Sequence, residues 1–290
     1  MGREAALAAY LRPRTLPEAL EALGTGGLRV AAGCTDLFPA LRGPSLATDM
    51  LDITGIDALR GIAKTETGWR IGATTSWTDL RRADLPPAFD GLKAAAREVG
   101  SVQVQNAGTL GGNLVNASPA ADGVPCLLTL DAEVELASSR GSRRLALTEF
   151  LTGPRQTALA PDELLTAIHV PHAAARGRGA FLKLGARRFL VISIAMVAVR
   201  LEIGEGRVHR AALAVGACSA TARRLEAAEA ALVGRQADGR LAETITADLV
   251  APEIAPIADL RASAEYRAAA AVTLLRRAVA ALAAVPEEAA

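Results

Sequence analysis

Two glycine-bearing stretches are the residues of this chain best suited to chemistry. Thr109-Leu110-Gly111-Gly112-Asn113 lies inside SVQVQNAGTLGGNLVNASPAAD (101–122), and Ala32-Gly33-Cys34-Thr35-Asp36 lies upstream. Glycine leaves no Cβ in the way and tolerates positive φ, so successive amides can line a concave anion site. Thr and Asn add short polar arms, and almost no charge stands beside the second stretch. Two such segments suggest a grip from both sides on one elongated, phosphate-bearing ligand. A Gly-Gly pair is equally a tight turn, and the residues alone leave both readings open.

Better-known phosphate motifs are absent. No GxxxxGK(S/T) occurs, which speaks against a P-loop. No GxGxxG follows the first strand with an acidic residue about 20 positions on, so a dinucleotide site of the Rossmann type is unsupported. Cys34, Cys126 and Cys218 are scattered without a CxxC pair, which excludes a zinc ribbon or a four-cysteine iron–sulfur cluster held by this chain. His169 and His172 flank a proline without an acidic partner in HExxH form and read as solvated loop residues; His209 is the third histidine. A net charge of +1 spread along 290 residues gives no support to nucleic-acid binding. No apolar run approaches the ~18–20 residues of a membrane span, and Arg3 and Glu4 are followed by no signal-peptide core. The expected location is cytoplasmic, with no membrane insertion.

The elements that must position these loops follow from periodicity. Thr15 caps a helix with Pro17 in its first turn, and Gly24 to Gly27 break it. Leu28 to Ala32 is a short buried strand leading into the first loop, followed by a helix over Leu37 to Arg42. Strands are expected at Met50 to Ile53 and Trp69 to Ala73, the latter opening into Thr74-Thr75-Ser76. Ser76 or Thr78 caps a helix through Arg82. Asp90 to Val99 and Ser118 to Leu130 are helical in pattern. In Ala132 to Ala137, Val134 and Leu136 alternate with Glu133 and Glu135, as in a strand. Leu147 to Leu151 and Glu163 to Val170 complete this region, and Pro171 to Gly179 is a linker. Two apolar strands, Ile192 to Ile203 and Arg210 to Ala217, are joined by the turn Gly204-Glu205-Gly206. Helical runs at Thr221 to Leu232 and Ala264 to Ala284 end the chain. The architecture is α+β, with a larger N-terminal and a smaller C-terminal region.

The residues also carry a resemblance. AAGCTDLFPAL (31–41) and NAGTLGGNLVNASPAADGVPCLLTLDAEVEL (106–136) resemble the FAD-binding subunit of the molybdenum hydroxylases, the xanthine dehydrogenase and carbon monoxide dehydrogenase group. GATTSWTDL (72–80), EFLTGPRQTALAPDELLTAIHVP (149–171) and FLKLGARRFLVISIAMVAVRLE (181–202) follow in family order, so the resemblance is collinear over nearly the whole chain.

The resemblance implies a FAD-binding region of the vanillyl-alcohol-oxidase-like type at 1–175, with subdomains of about 1–55 and 56–175. A small α/β domain, an antiparallel sheet plus helices, follows at 177–287. It implies that Val30, Ala31, Ala32, Gly33, Cys34, Thr35, Asp36 and Leu37 cradle the FAD diphosphate. Thr109, Leu110, Gly111, Gly112 and Asn113 close on the diphosphate and ribityl region from the other side. Asp122 is placed at the adenosine end, Leu165 against the flavin, and Lys183 near the isoalloxazine ring, where positive charge favours an anionic reduced flavin. Thr75 and Ser76 contact flavin or cap a helix. No histidine falls in either loop, so FAD is expected to be non-covalent. Cys34 replaces a glycine usual in the family, and Gln105 replaces an arginine whose loss alters the reoxidation partner or flavin potential.

The implied activity is that of an oxidoreductase subunit without catalytic residues or metal ligands of its own. FAD would take electrons from [2Fe-2S] clusters of a small partner and pass them to NAD, a quinone or O2. A large partner holds molybdopterin, and the assembly is a dimer of heterotrimers. Two alternatives stay open: a flavin-free structural subunit of the same complex, and a free-standing FAD oxidase.

Overall fold

In a computed structural model, residues 8–39, 48–188 and 190–284 are described. The first sheet is small and parallel: β1 (Tyr10–Leu11), β2 (Arg29–Ala31) and β3 (Met50–Asp52) lie in the order β1-β3-β2. Helix α1 (Leu16–Gly24) packs on it. Its Thr15 side chain accepts from the Glu18 amide, and Pro17 sits where no amide is needed. β2 is shorter than the sequence suggests, and only Ala31 in it is buried. No helix starts at Leu37: residues 35–39 form turns, and 40–42 lie outside the described residues.

The second sheet is antiparallel, built from β4 (Ile62–Lys64), β5 (Gly68–Gly72), β6 (Glu133–Ser138), β7 (Gly141–Ala146) and, after the hairpin β8 (Leu151–Gly153)–β9 (Gln156–Thr157), β10 (Leu164–Pro171). Its order is β4-β5-β10-β6-β7. On β6 the expected alternation holds, with Val134 and Leu136 buried and Glu133 exposed. Five helices follow, α2 (Trp77–Arg82), α3 (Asp90–Glu98), α4 (Val102–Ala107), α5 (Leu110–Asn116) and α6 (Gly123–Thr129); all but α4 share a core with this sheet, and α4 packs on α2. Ser76, not Thr78, caps α2 in a reciprocal capping box with Asp79. The stretch from Leu147 starts with a short helix, α7 (Leu147–Phe150), and only the second half of 118–130 is helical.

The third sheet is β11 (Arg178–Leu184), β12 (Ala195–Gly204), β13 (Arg207–Gly216) and β14 (Arg223–Arg224) in sequence order. Glu205 and Gly206 both have positive φ, the geometry of a two-residue hairpin turn. The first half of β12, Ala195 to Val199, is apolar because both of its faces are covered. Met196 and Ala198 join the core of the second sheet and its helices, whereas Val197, Val199 and Leu201 join a core with α8 (Glu226–Leu232), α9 (Ala247–Val250) and α10 (Ala264–Ala283). Helices α3 and α6 therefore lie between the second and third sheets. The supposed linker is structured, with a 3-10 turn at His172–Ala175 and β11 from Arg178.

His169 is a correction. It lies within β10, 8% exposed, with Nε2 2.9 Å from Glu135 Oε2. Burial, with Arg144 and Arg70 nearby, holds its pKa below the ordinary value despite Glu135.

Candidate functional site

The two glycine stretches meet. Gly33 packs against the end of α4 so closely that a Cβ there would overlap the Ala107 carbonyl oxygen and lie 2.7 Å from its carbon and 2.8 Å from Gly108 Cα. Cys34, next in line, has φ +57°, the left-handed conformation that glycine adopts freely. The amides of Gly33, Cys34 and Thr35 have no partner among the described residues. Successive free N–H groups around one left-handed residue form a concave anion nest. The Cys34 thiol donates to Ala32 O at 3.4 Å, and burial together with the nearby Asp52 carboxylate pushes its pKa up. That thiol stays protonated, the inert state for oxidation.

The second stretch is not a loop but the start of a helix. Thr109 is the N-cap of α5, its hydroxyl accepting from the Gly112 amide at 3.0 Å. The remaining first-turn amides are also engaged: Leu110 N donates to Thr75 O, Gly111 N to Ala73 O and Asn113 N to Thr109 O. Glycine is required at 111 because a Cβ would stand 2.7 Å from Ala73 O. Gly112 is solvent-facing, and a Cβ there would meet only its own cap hydroxyl. The free anion-binding amides are therefore on the first stretch alone. The second offers close approach, the positive end of a helix and the Asn113 side chain, whose Oδ1 is buried without a partner.

From Gly111 the site continues without a break. Ala73, which accepts from Gly111, itself donates to Thr166 O beside the buried Leu165. Thr75 is wholly buried, and its hydroxyl bonds the Gly61 amide at 3.0 Å and the Gly61 carbonyl at 3.1 Å. Thr75 thus shapes the floor through its backbone, with its side chain turned away. On the other side a Cβ at Gly123 would lie 3.0 Å from Asn113 Oδ1, which brings Asp122 next to α5.

Asp122 accepts from Lys183 Nζ at 2.6 Å and from Ser193 Oγ at 2.7 Å, and both charged side chains are only 7% exposed. Burial pushes the Asp122 carboxyl above its ordinary pKa, opposed by Lys183 and Ser193. Two side chains in one ion pair cannot serve opposite ends of an extended dinucleotide, so placing Asp122 at the adenosine end and Lys183 at the ring cannot both hold. Lys183 also wins less positive charge than the sequence suggests, because Asp122 compensates it. A cleft of about 380 Å3 opens beside this pair, walled by Ala94 and Glu98 of α3 and by Phe181 to Gly185. Ser193 was missed: one serine among isoleucines in an apolar run carries no signal for a carboxylate partner 71 residues away.

Gln105 faces inward and is 4% exposed. Its amide donates to Arg97 O at 3.2 Å and Val99 O at 3.1 Å and accepts from Arg81 Nη1 at 2.7 Å. It ties α4 to the end of α3 and to Arg81 of α2. Gln105→Ala is expected to cost about 2–3 kcal/mol by orphaning these groups, seen as a lower urea midpoint with flavin content unchanged. A loss of flavin with no loss of stability would contradict this role.

Comparison with known proteins identifies the arrangement. Residues 4–173 match the family described as "FAD binding domain in molybdopterin dehydrogenase", and residues 180–282 match the "CO dehydrogenase flavoprotein C-terminal domain". This chain belongs to the FAD-binding medium subunits of the molybdenum hydroxylases. It is 33% identical to the glyceraldehyde dehydrogenase medium chain of Sulfolobus acidocaldarius, covering 89% of this chain and 92% of that one. It is 32% identical to the carbon monoxide dehydrogenase medium chain of Afipia carboxidovorans, over 93% and 94% of the two chains. The reconstituted CO dehydrogenase from Oligotropha carboxidovorans superposes with a TM-score of 0.88 at 30% identity, covering 96% of this chain and 98% of that chain. Relatives of this subunit are dehydrogenase components, which makes it part of an oxidoreductase. Among the described residues no helix is long and apolar enough to cross a membrane.

The residues fit the cofactor this family binds. The nest at Gly33–Thr35 matches a diphosphate, Gly112 leaves the approach open, and Asn113 offers an unused buried acceptor to a ribityl hydroxyl or ring N–H. Cys34 keeps the backbone of the glycine it replaces. A non-glycine residue in this conformation costs about 1–2 kcal/mol, of which glycine's unfolded-state entropy gives back about 0.5–1 kcal/mol. Cys34→Gly is therefore expected to raise stability by up to about 1.5 kcal/mol with undiminished flavin affinity. A lower Tm would show that the thiol packing outweighs the backbone strain.

Proposed function

We propose that this subunit holds FAD non-covalently between residues 30–37 and 109–113 and serves as the electron exit of a heterotrimeric molybdenum hydroxylase. The observation that carries this reading is the set of unengaged amides around Cys34, abutting the helix start at Thr109. When bound, FAD supplies a redox centre able to take electrons from [2Fe-2S] clusters of a small partner and pass them to NAD, a quinone or O2. Gly33, Cys34 and Thr35 bind the diphosphate, and Asn113 orients the ribityl chain. Leu165 lies in the apolar core along the site. Lys183 Nζ gives one N–H to Asp122 and keeps two for the ring, which draws the ring toward the cleft beside α3.

The division at about residues 1–55, 56–175 and 177–287 is supported by the three sheets, which span 10–52, 62–171 and 178–224. The molybdopterin belongs to a large partner, the complex is a dimer of heterotrimers, and it works in the cytoplasm. The test is reconstitution: organic substrate should bleach the flavin only when the small and large subunits are added together. Bleaching in the isolated chain would make it a free-standing oxidase. A chain that assembles with its partners yet holds no flavin would be a structural subunit.

A further inference from the structure

A second cleft, which shares helix α4 with the flavin cradle, concentrates positive charge with no carboxylate among its lining residues. It measures about 360 Å3 and lies between α2, the end of α3 and α4, lined by Thr78, Arg81, Arg82, Arg97, Val102 and Asn106. Several arginines elsewhere in this chain are paired with carboxylates, among them Arg60 with Asp79, Arg143 with Glu163, Arg224 with Asp131 and Glu229, and Arg267 with Asp259, while others, such as Arg155 and Arg276, bond neutral groups singly. Here Arg81 donates only to the neutral Gln105, and neither Arg82 nor Arg97 has a carboxylate partner among the described residues. In a chain of net charge +1, three uncompensated guanidiniums in one concavity are a local excess.

Helix ends explain part of it. Arg81 and Arg82 sit in the last turn of α2 and Arg97 in that of α3, where the backbone dipole favours cations. That effect acts on each arginine separately and does not require three to converge. Thr78 Oγ1 donates to Asn106 Oδ1 at 2.6 Å, which fixes the Asn106 amide with its N–H groups as further donors. Val102, 61% exposed, adds an apolar edge.

Planar guanidiniums are matched to phosphate oxygens in bidentate pairs, and the cleft is as large as a small-molecule pocket. We propose that this cleft binds a phosphate-bearing small molecule, separately from the flavin. Arg82 and Arg97 are the exposed arms that clamp the phosphate, and Arg81, held by Gln105, forms the fixed wall.

The test titrates ADP and inorganic pyrophosphate into the full chain by calorimetry at low salt, with FAD bound and with FAD removed. Saturable binding is expected in both states. It should weaken at least about tenfold in Arg82→Gln/Arg97→Gln, the loss of charge-assisted bidentate contacts. Both side chains are exposed, so Tm and flavin content should not change. Tighter binding of ADP identifies a nucleotide as the source of the phosphate, and equal binding identifies a free phosphate ion. Absence of saturation, equal affinity in the double variant, or displacement of FAD by either probe would overturn the proposal. Because binding is read without flavin too, failure of the flavin reading leaves this result distinct.

Discussion

Gly33→Ala is expected to yield a chain that folds less stably and purifies without flavin. The added methyl would overlap the Ala107 carbonyl and press on Gly108 Cα at 2.8 Å, both of them backbone. Backbone cannot swing aside as a side-chain tip can, so the first stretch must lift from α4. Overpacking of this kind costs about 3 kcal/mol, near the top of its usual range. Lifting also takes the Gly33–Thr35 amides out of line with the helix start at Thr109, and a diphosphate needs both surfaces. Urea unfolding and the flavin absorbance of the purified variant check the two halves of this expectation. Gly112→Ala is the control: a Cβ there meets only the Thr109 hydroxyl, at 2.8 Å, and the fold should tolerate it. If Gly33→Ala kept full flavin and full stability, the contact between the two stretches would be irrelevant to the site.

Lys183→Met carries the second large effect, and its sign depends on pH. The substitution leaves the Asp122 carboxylate buried with only Ser193 as partner. Removing one member of a buried pair costs about 3–5 kcal/mol when the other stays charged. In the native chain burial already pushes the Asp122 carboxyl up, and Lys183 is the main force opposing it. Without Lys183 the folded pKa rises further above the unfolded one. A raised carboxyl pKa contributes stability that is present below the unfolded pKa and lost as pH rises through the folded pKa. The variant should therefore be weakest at neutral and alkaline pH and recover on acidification. The double variant Asp122→Asn/Lys183→Met should regain much of the loss at neutral pH, because no charge remains buried. Tm measured across pH tests this directly, and a Lys183→Met penalty that is flat with pH would show that Asp122 is not the group responsible.

How much of this was legible in the sequence depended on the range of the interactions. Local signals read well. The Thr15 cap, the α3 and α10 periodicities, the alternation on β6 and the Glu205-Gly206 turn all follow from contacts within a few residues. The glycines marked close approach correctly, but not what is approached. Adjacent glycines disfavour a helix by about 1 kcal/mol each, so the stretch at 109–113 read as a loop. Packing against Ala73 overrides that preference and makes glycine obligatory in α5. Which amides are free was equally invisible, since Thr75 O and Ala73 O are supplied from another part of the chain. The Asp122–Lys183 pair spans 61 residues, and no local pattern joins them. His169 looked like a loop residue because Pro171 follows it. That proline closes β10 instead, and the Glu135 partner comes from the neighbouring strand.

The central claim is that a nest around Cys34 and the helix start at Thr109 together form one cradle for FAD. Its most direct test is the flavin content of the purified wild-type chain, with no partner subunit present, before and after acid denaturation. The account predicts one FAD per chain, released free into solution on denaturation. A colourless chain that takes up no added FAD would contradict it, as would flavin that stays attached to the denatured polypeptide.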